Sequence, residues 1–131
     1  MVLVDSSVWI DLLQHPDSPW AARLAQLIGG SNRTALCGIV LQEVLQGIRD
    51  DDAYVLTRER LCKLPFIAAT SETALLAADI YRQLRVRGIT VPSTDAAIAA
   101  IAISNRMELF SKDRHFATIA ANTELRLHPV D

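Results

Sequence analysis

Four carboxylates carry the chemistry open to this sequence: Asp5, Glu43, Asp95 and Asp113. They lie far apart in the chain, yet each falls where an apolar stretch ends or a helix begins. Asp5 follows the β-prone run Val2–Val4 directly, in "MVLVDSS", where a buried charge is expensive. Asp113 comes three residues after the apolar end of "MELF". Glu43 sits in the first turns of the helix after "TALCG", and Asp95 at the start of an apolar helix after "VPST". Sites in open parallel sheets form beyond the carboxyl ends of the strands. The expectation is that all four acids gather at one rim.

Singly, each acid has a plainer reading. Asp95, behind Thr94, can complement a helix N-terminus. Asp113 can be a loop or N-cap residue, and Glu43 a solvated helix face. Asp5 resists such a reading, because Ser6 or Ser7 already offers a cap for the next helix. The remaining acids, Asp11 and Glu108 among them, read as solvated charges without chemistry. Taken together, the four demand a counter-ion. Two like charges about 4 Å apart repel by roughly 4 kcal/mol at an effective dielectric near 20. Oxygen donors without His or Cys select a hard ion, Mg²⁺ or Mn²⁺. Such an ion suits phosphodiester hydrolysis, by acidifying a water for in-line attack and stabilising the leaving oxygen.

The elements that must hold these acids alternate in type. Val2–Asp5, "TALCG", "PFIA" and "MELFS" read as short buried strands, and "LRLHPV" as a last, edge-like one ended by Pro129. Between them run helices over Ser7–Leu13, "SPWAARLAQLIGG", "IVLQEVLQGIR" and "DDDAYVLTRERLCKL". A longer one, "SETALLAADIYRQLRVRG", has Ser71 as N-cap and Gly88 at C′. "TDAAIAAIAISN" is apolar nearly all round and reads as a buried helix, and "KDRHFATIA" as a loop and short helix. The pattern predicts an α/β fold with a parallel sheet covered on both faces.

Bulk properties narrow the classes. The chain has 131 residues, half of them hydrophobic and 21% charged, which suits one globular domain. It shows no apolar run long enough for a membrane span and no signal pattern, so a cytoplasmic protein is expected. Cys37 and Cys62 read as reduced core thiols, and His15, His115 and His128 lack zinc-ligand spacing. The net charge of −2 argues mildly against binding nucleic acid through the whole surface.

"VLVDSSVWIDLL", "GIVLQEVLQGIR", "STDAAIAAIAISN" and "ELFSKDRHFATIA" resemble, in order and over nearly the whole chain, the successive motifs of PIN-domain proteins. More narrowly they resemble the VapC-type toxins of bacterial toxin–antitoxin pairs. The resemblance implies a single PIN domain over 1–131, a three-layer α/β/α sandwich with a short parallel sheet of four to five strands. It also implies an Mg²⁺- or Mn²⁺-dependent endoribonuclease. Asp5, Glu43, Asp95 and Asp113 match the family's four acidic positions. The first three would hold the metal, one of them also orienting or deprotonating the attacking water, with Asp113 a looser ligand. Ser6 stands where the family usually has Thr, and Ser6, Ser7 and Thr94 would support the acids from behind. Lys112 and Arg114, flanking Asp113, are candidate contacts to RNA phosphate. The acidic rim then accounts for the low net charge, with RNA held elsewhere.

The resemblance further implies a cognate antitoxin that obstructs the site, a toxin homodimer, and DNA contact only through the antitoxin. Trp9, Trp20, Leu24 and Leu27, with a helix at Ile48–Leu61, would line the antitoxin groove, although core packing is the default for these side chains and the favoured reading for Leu24 and Leu27. Two other readings compete. A receiver-like Mg²⁺-binding phosphoacceptor domain needs an Asp at the end of its third strand, and "CKLPFIAATSE" offers none. A PIN-like DNA regulator without nuclease activity would not need all four acids.

Overall fold

The computed structural model describes residues 1–30 and 33–131. The chain begins with β1 (Val2–Val4), α1 (Ser6–Gln14) and α2 (Pro19–Gly29), then β2 (Thr34–Cys37), α3 (Gly38–Gln46) and α4 (Asp51–Leu61). It continues with β3 (Phe66–Ile67), α5 (Ser71–Val86), α6 (Ser93–Ser104), β4 (Glu108–Phe110) and α7 (Arg114–Asn122). The strands form one parallel sheet in the order β3-β2-β1-β4. In register, Val2 lies between Thr34 and Glu108, and Leu3 between Ala35 and Leu109.

This order explains the layers. The connections β1→β2→β3 step one way across the sheet, and the return to β4 steps the other way. Right-handed crossovers therefore put the two sets of helices on opposite faces. In agreement, α1 packs on α2 and α3, and α3 on α4, while α5, α6 and α7 pack on one another. The result is the expected α/β/α sandwich, with four strands. Its central strand has both faces covered, so Val2, Leu3 and Val4 are all buried. The small side chains Ala96, Ala99, Ala100 and Ala102 let the middle of α6 sit buried between α5 and the sheet.

Several local expectations hold. Gly88 takes the left-handed conformation (φ 77°) at the end of α5. Its N–H donates to Arg85 O, and that of Ile89 to Leu84 O, which closes the helix in a Schellman motif. Asp51 and Asp52 open α4 and Arg58 and Arg60 close it, as the helix dipole favours.

Others are corrected. The cap of α5 is Thr70, not Ser71, because Thr70 and Thr73 exchange side-chain-to-backbone hydrogen bonds in a capping box. Among the described residues "LRLHPV" forms a single bridge, Leu127 to Leu109, and adds no strand to the sheet. The helix after β2 stops at Gln46, so the groove helix begins at Asp51, capped by Asp50, instead of at Ile48. Cys37 is buried as expected, but Cys62 is exposed at the end of α4.

Candidate active site at the carboxyl rim

β1 leads into α1 on one face of the sheet, while its neighbour β4 leads into α7 on the other. A crevice opens between two such strands at their carboxyl ends. The chain puts Asp5 and the segment Ser111–Asp113 there.

Asp5 N–H donates to Phe110 O at 2.9 Å, extending the ladder one residue past β1. Its side chain then serves as the N-cap of α1, accepting from Ser7 N–H at 3.3 Å. The cap expected of Ser6 or Ser7 thus belongs to Asp5. Both serines are freed for the acids. Ser7 Oγ and Ser111 Oγ donate to Asp5 Oδ2 at 2.7 and 2.9 Å, and Ser6 Oγ donates to Glu43 Oε1 at 3.3 Å. Ser111 also accepts from Asp113 N–H at 2.9 Å, and Ser7 Oγ from Lys112 N–H at 3.0 Å. Asp5 is therefore held by donors from two elements 104 residues apart.

Asp95 stands in the first turn of α6 and is only 9% exposed. Burial pushes its pKa up to about 6, helped by the negative charges of Asp113, Asp5 and Glu43 and opposed by His115. The pKa of Glu43 is also raised, by burial first and by Asp5 second, while the Ser6 hydrogen bond opposes the shift. These mutual effects bring the four expected acids into one electrostatic cluster. Thr94 lies exposed beside Asp95, and Arg114 exposed at the first position of α7. Asp113 caps α7 through His115 N–H at 2.9 Å.

Three residues depart from expectation. Lys112 does not extend freely into solvent: its ammonium pairs with Asp11 Oδ1 at 2.7 Å and lies 5.1 Å from the Trp20 ring centre. Asp11 is buried (3% exposed) instead of solvated, and Ser18 Oγ also donates to it. The Asp11 pKa is lowered by the hydrogen bonds from Lys112 and Ser18. The third is His115, whose Nδ1 lies 2.9 Å from Asp113 Oδ1 and 3.4 Å from Asp95 Oδ2. Ser111 was missed as well. The signals for both are local: Ser111 directly follows β4, and His115 lies two positions after a capping Asp.

The donor set fits a cation. Asp95 Oδ2 is a buried oxygen without a hydrogen-bond partner among the described residues, in the midst of three further carboxylates. One atom each of Asp95, Asp113 and His115 lies within 4.8 Å of the other two.

Away from the rim, Trp9, Leu12, Leu13, Ile28, Val44 and Leu61 line an apolar groove of about 370 Å³. Trp9, though part of the core, lines the groove, Leu24 and Leu27 are buried in the core as favoured, and Trp20 lies under Lys112.

Comparison with known proteins agrees with this architecture. The PIN domain family model matches residues 2–122. Ribonuclease VapC11 of Mycobacterium tuberculosis is 34% identical over 130 residues, covering 96% of both chains. Among solved structures, DNA-bound VapBC from Salmonella typhimurium aligns with a TM-score of 0.81 at 17% identity, over 99% of this chain and 98% of that one. VapC20 of Mycobacterium tuberculosis, described as a Sarcin-Ricin loop cleaving toxin, aligns at 0.69 and 19% identity, over 96% and 99%. By its sequence and its fold, the chain belongs to the PIN domain family, among the VapC ribonucleases.

Proposed function

We propose that the chain is a cytoplasmic endoribonuclease, the toxin of a toxin–antitoxin pair, organised as one PIN domain over 1–131. It hydrolyses RNA phosphodiester bonds with Mg²⁺ or Mn²⁺ held by Asp5, Glu43 and Asp95, with Asp113 a looser ligand. The observation that carries this reading is Asp95 Oδ2, buried, without a hydrogen-bond partner among the described residues and facing the like charges of Asp113, Asp5 and Glu43. A carboxylate in that setting is costly without a cation. When bound, the ion makes hydroxide available near neutral pH and offsets charge on the leaving oxygen. The chain's own task is to hold the acids still. Ser7 and Ser111 fix Asp5, Ser6 orients Glu43, and α6 presents Asp95 from a buried helix. Thr94 borders the site, and Arg114 is the better placed cation for RNA phosphate, since Lys112 is engaged by Asp11.

The partners follow from the relatives. Solved neighbours include a toxin–antitoxin complex from Klebsiella pneumoniae and VapBC assemblies bound to DNA. The apolar groove between α1, α2 and α4 is the place for an antitoxin segment, with DNA contacted through that antitoxin and the toxin a homodimer. No helix among the described residues is long and apolar enough to cross a membrane. The receiver-like reading gains no support, because β3 is separated from β1 by β2 and carries no acid at its end.

The purified chain, freed of antitoxin, is expected to cleave RNA with Mg²⁺ or Mn²⁺ and to stop with chelator. Asp5→Asn should reduce cleavage by roughly 100-fold or more with little change in melting temperature. Full metal-dependent activity in Asp5→Asn would overturn the assignment.

A further inference from the structure

The rim holds one side chain that the proposed function leaves without a task, His115. Asp113 caps α7 and thereby sets His115 at the second position of the helix, with its ring beside both Asp113 and Asp95. The Nδ1 approaches of 2.9 Å to Asp113 and 3.4 Å to Asp95 are short enough for hydrogen bonds, but neither is aligned as one. Nδ1 and Asp95 Oδ2 are both buried atoms with no hydrogen-bond partner among the described residues. A neutral imidazole donating to Asp95 would have satisfied both groups at once. Instead one atom each of Asp95, Asp113 and His115 crowds within 4.8 Å of the other two, and the imidazole pairs with neither acid. Ligand atoms around one ion have this spacing, because bonds of about 2.1 Å hold neighbouring ligands about 3 Å apart and opposite ones about 4.2 Å apart.

We propose that His115 Nδ1 is a ligand of the divalent ion, alongside Asp95 and Asp113. This rests on the reading of the rim as a metal site and adds to it a nitrogen donor. Mg²⁺ keeps to oxygen and water, whereas transition ions accept imidazole readily. The site should therefore discriminate in favour of Mn²⁺ over Mg²⁺, more than four acids alone would do.

The test is pulsed electron paramagnetic resonance on the full chain with Mn²⁺ alone, without RNA. The wild type and the exposed-site control His15→Gln should show the ¹⁴N echo modulation of a directly bound imidazole. His115→Gln should lose it and bind Mn²⁺ at least tenfold more weakly by calorimetry, with a smaller change for Mg²⁺. Bound Mn²⁺ without ¹⁴N modulation in the wild type would overturn the role of His115 and leave the carboxylate metal site standing. Modulation that survives in His115→Gln would do the same. No Mn²⁺ binding at all would overturn both readings. The wild-type spectrum is decisive whether or not the variant folds.

Discussion

Lys112 Nζ lies 2.7 Å from Asp11 Oδ1 and ties the loop that carries Ser111 and Asp113 to the middle of α1. Asp11 also accepts from Ser18, the N-cap of α2, and Lys112 lies over Trp20. One carboxylate thus joins α1, the start of α2 and the loop that completes the rim. It anchors the loop that completes the site.

Asp11→Asn should therefore destabilise the fold by about 2 kcal/mol. That is below the roughly 3–5 kcal/mol lost on breaking a fully buried pair, because the Lys112 side chain keeps 34% of its surface exposed. Urea unfolding at pH 7 measures it. The Asp11 pKa is lower in the folded chain than its ordinary value of 3.8. Its stabilisation is then fully present above pH 4 and lost as pH falls through the lower folded value. The gap between wild type and Asp11→Asn should close in that acid range.

Asp95 has the opposite sign. Its folded pKa of about 6 lies above the ordinary 3.8, so the metal-free folded chain holds the proton more tightly. Stability should fall as pH rises from about 4 to 6 and level off above, by up to about 3 kcal/mol at 1.36 kcal/mol per unit. Asp95→Asn should remove most of that slope, leaving the smaller part due to Glu43, and stabilise the metal-free chain at pH 7.5. Divalent ion should raise the wild-type melting temperature more at pH 7.5 than at pH 5, where protons compete. Thermal melts at the two pH values check both points.

Ser111→Ala removes the hydroxyl that donates to Asp5 and accepts from Asp113 N–H. The β4–α7 loop keeps its Lys112 anchor, so the fold should persist. Cleavage should drop by about 10- to 100-fold, the usual cost of losing a group that orients a ligand. Ser111→Thr, which restores the hydroxyl, should recover most of it.

Leu13→Glu puts a charge into the apolar groove at an exposed position, distant from the rim acids. Antitoxin affinity should fall by at least tenfold in titration calorimetry, since a buried unpaired charge is costly. RNA cleavage by the free chain should be unchanged.

How much of this was legible beforehand depends on the range of the interaction. Asp5 at the end of β1, Asp95 in the first turn of α6 and Asp113 at the cap of α7 follow from local patterns of apolar residues and turns. The alternation of strands and helices also pointed to a parallel sheet covered on both faces, whereas which helices cover which face follows from the spatial strand order. What only the tertiary structure decided lies in contacts between distant segments. Asp11 looked solvated because its neighbours are ordinary for a helix surface, and only the packing of α2 and of the loop after β4 buries it. Lys112 read as a phosphate contact from its neighbour Asp113, and its pairing with Asp11 comes from a segment 101 residues away. His115 has no ligand spacing to any other histidine, and it joins Asp95 only because α6 and α7 pack together. Burial and pairing are set by the elements that arrive from elsewhere in the chain, and a sequence records the chemistry of each side chain but not its neighbours.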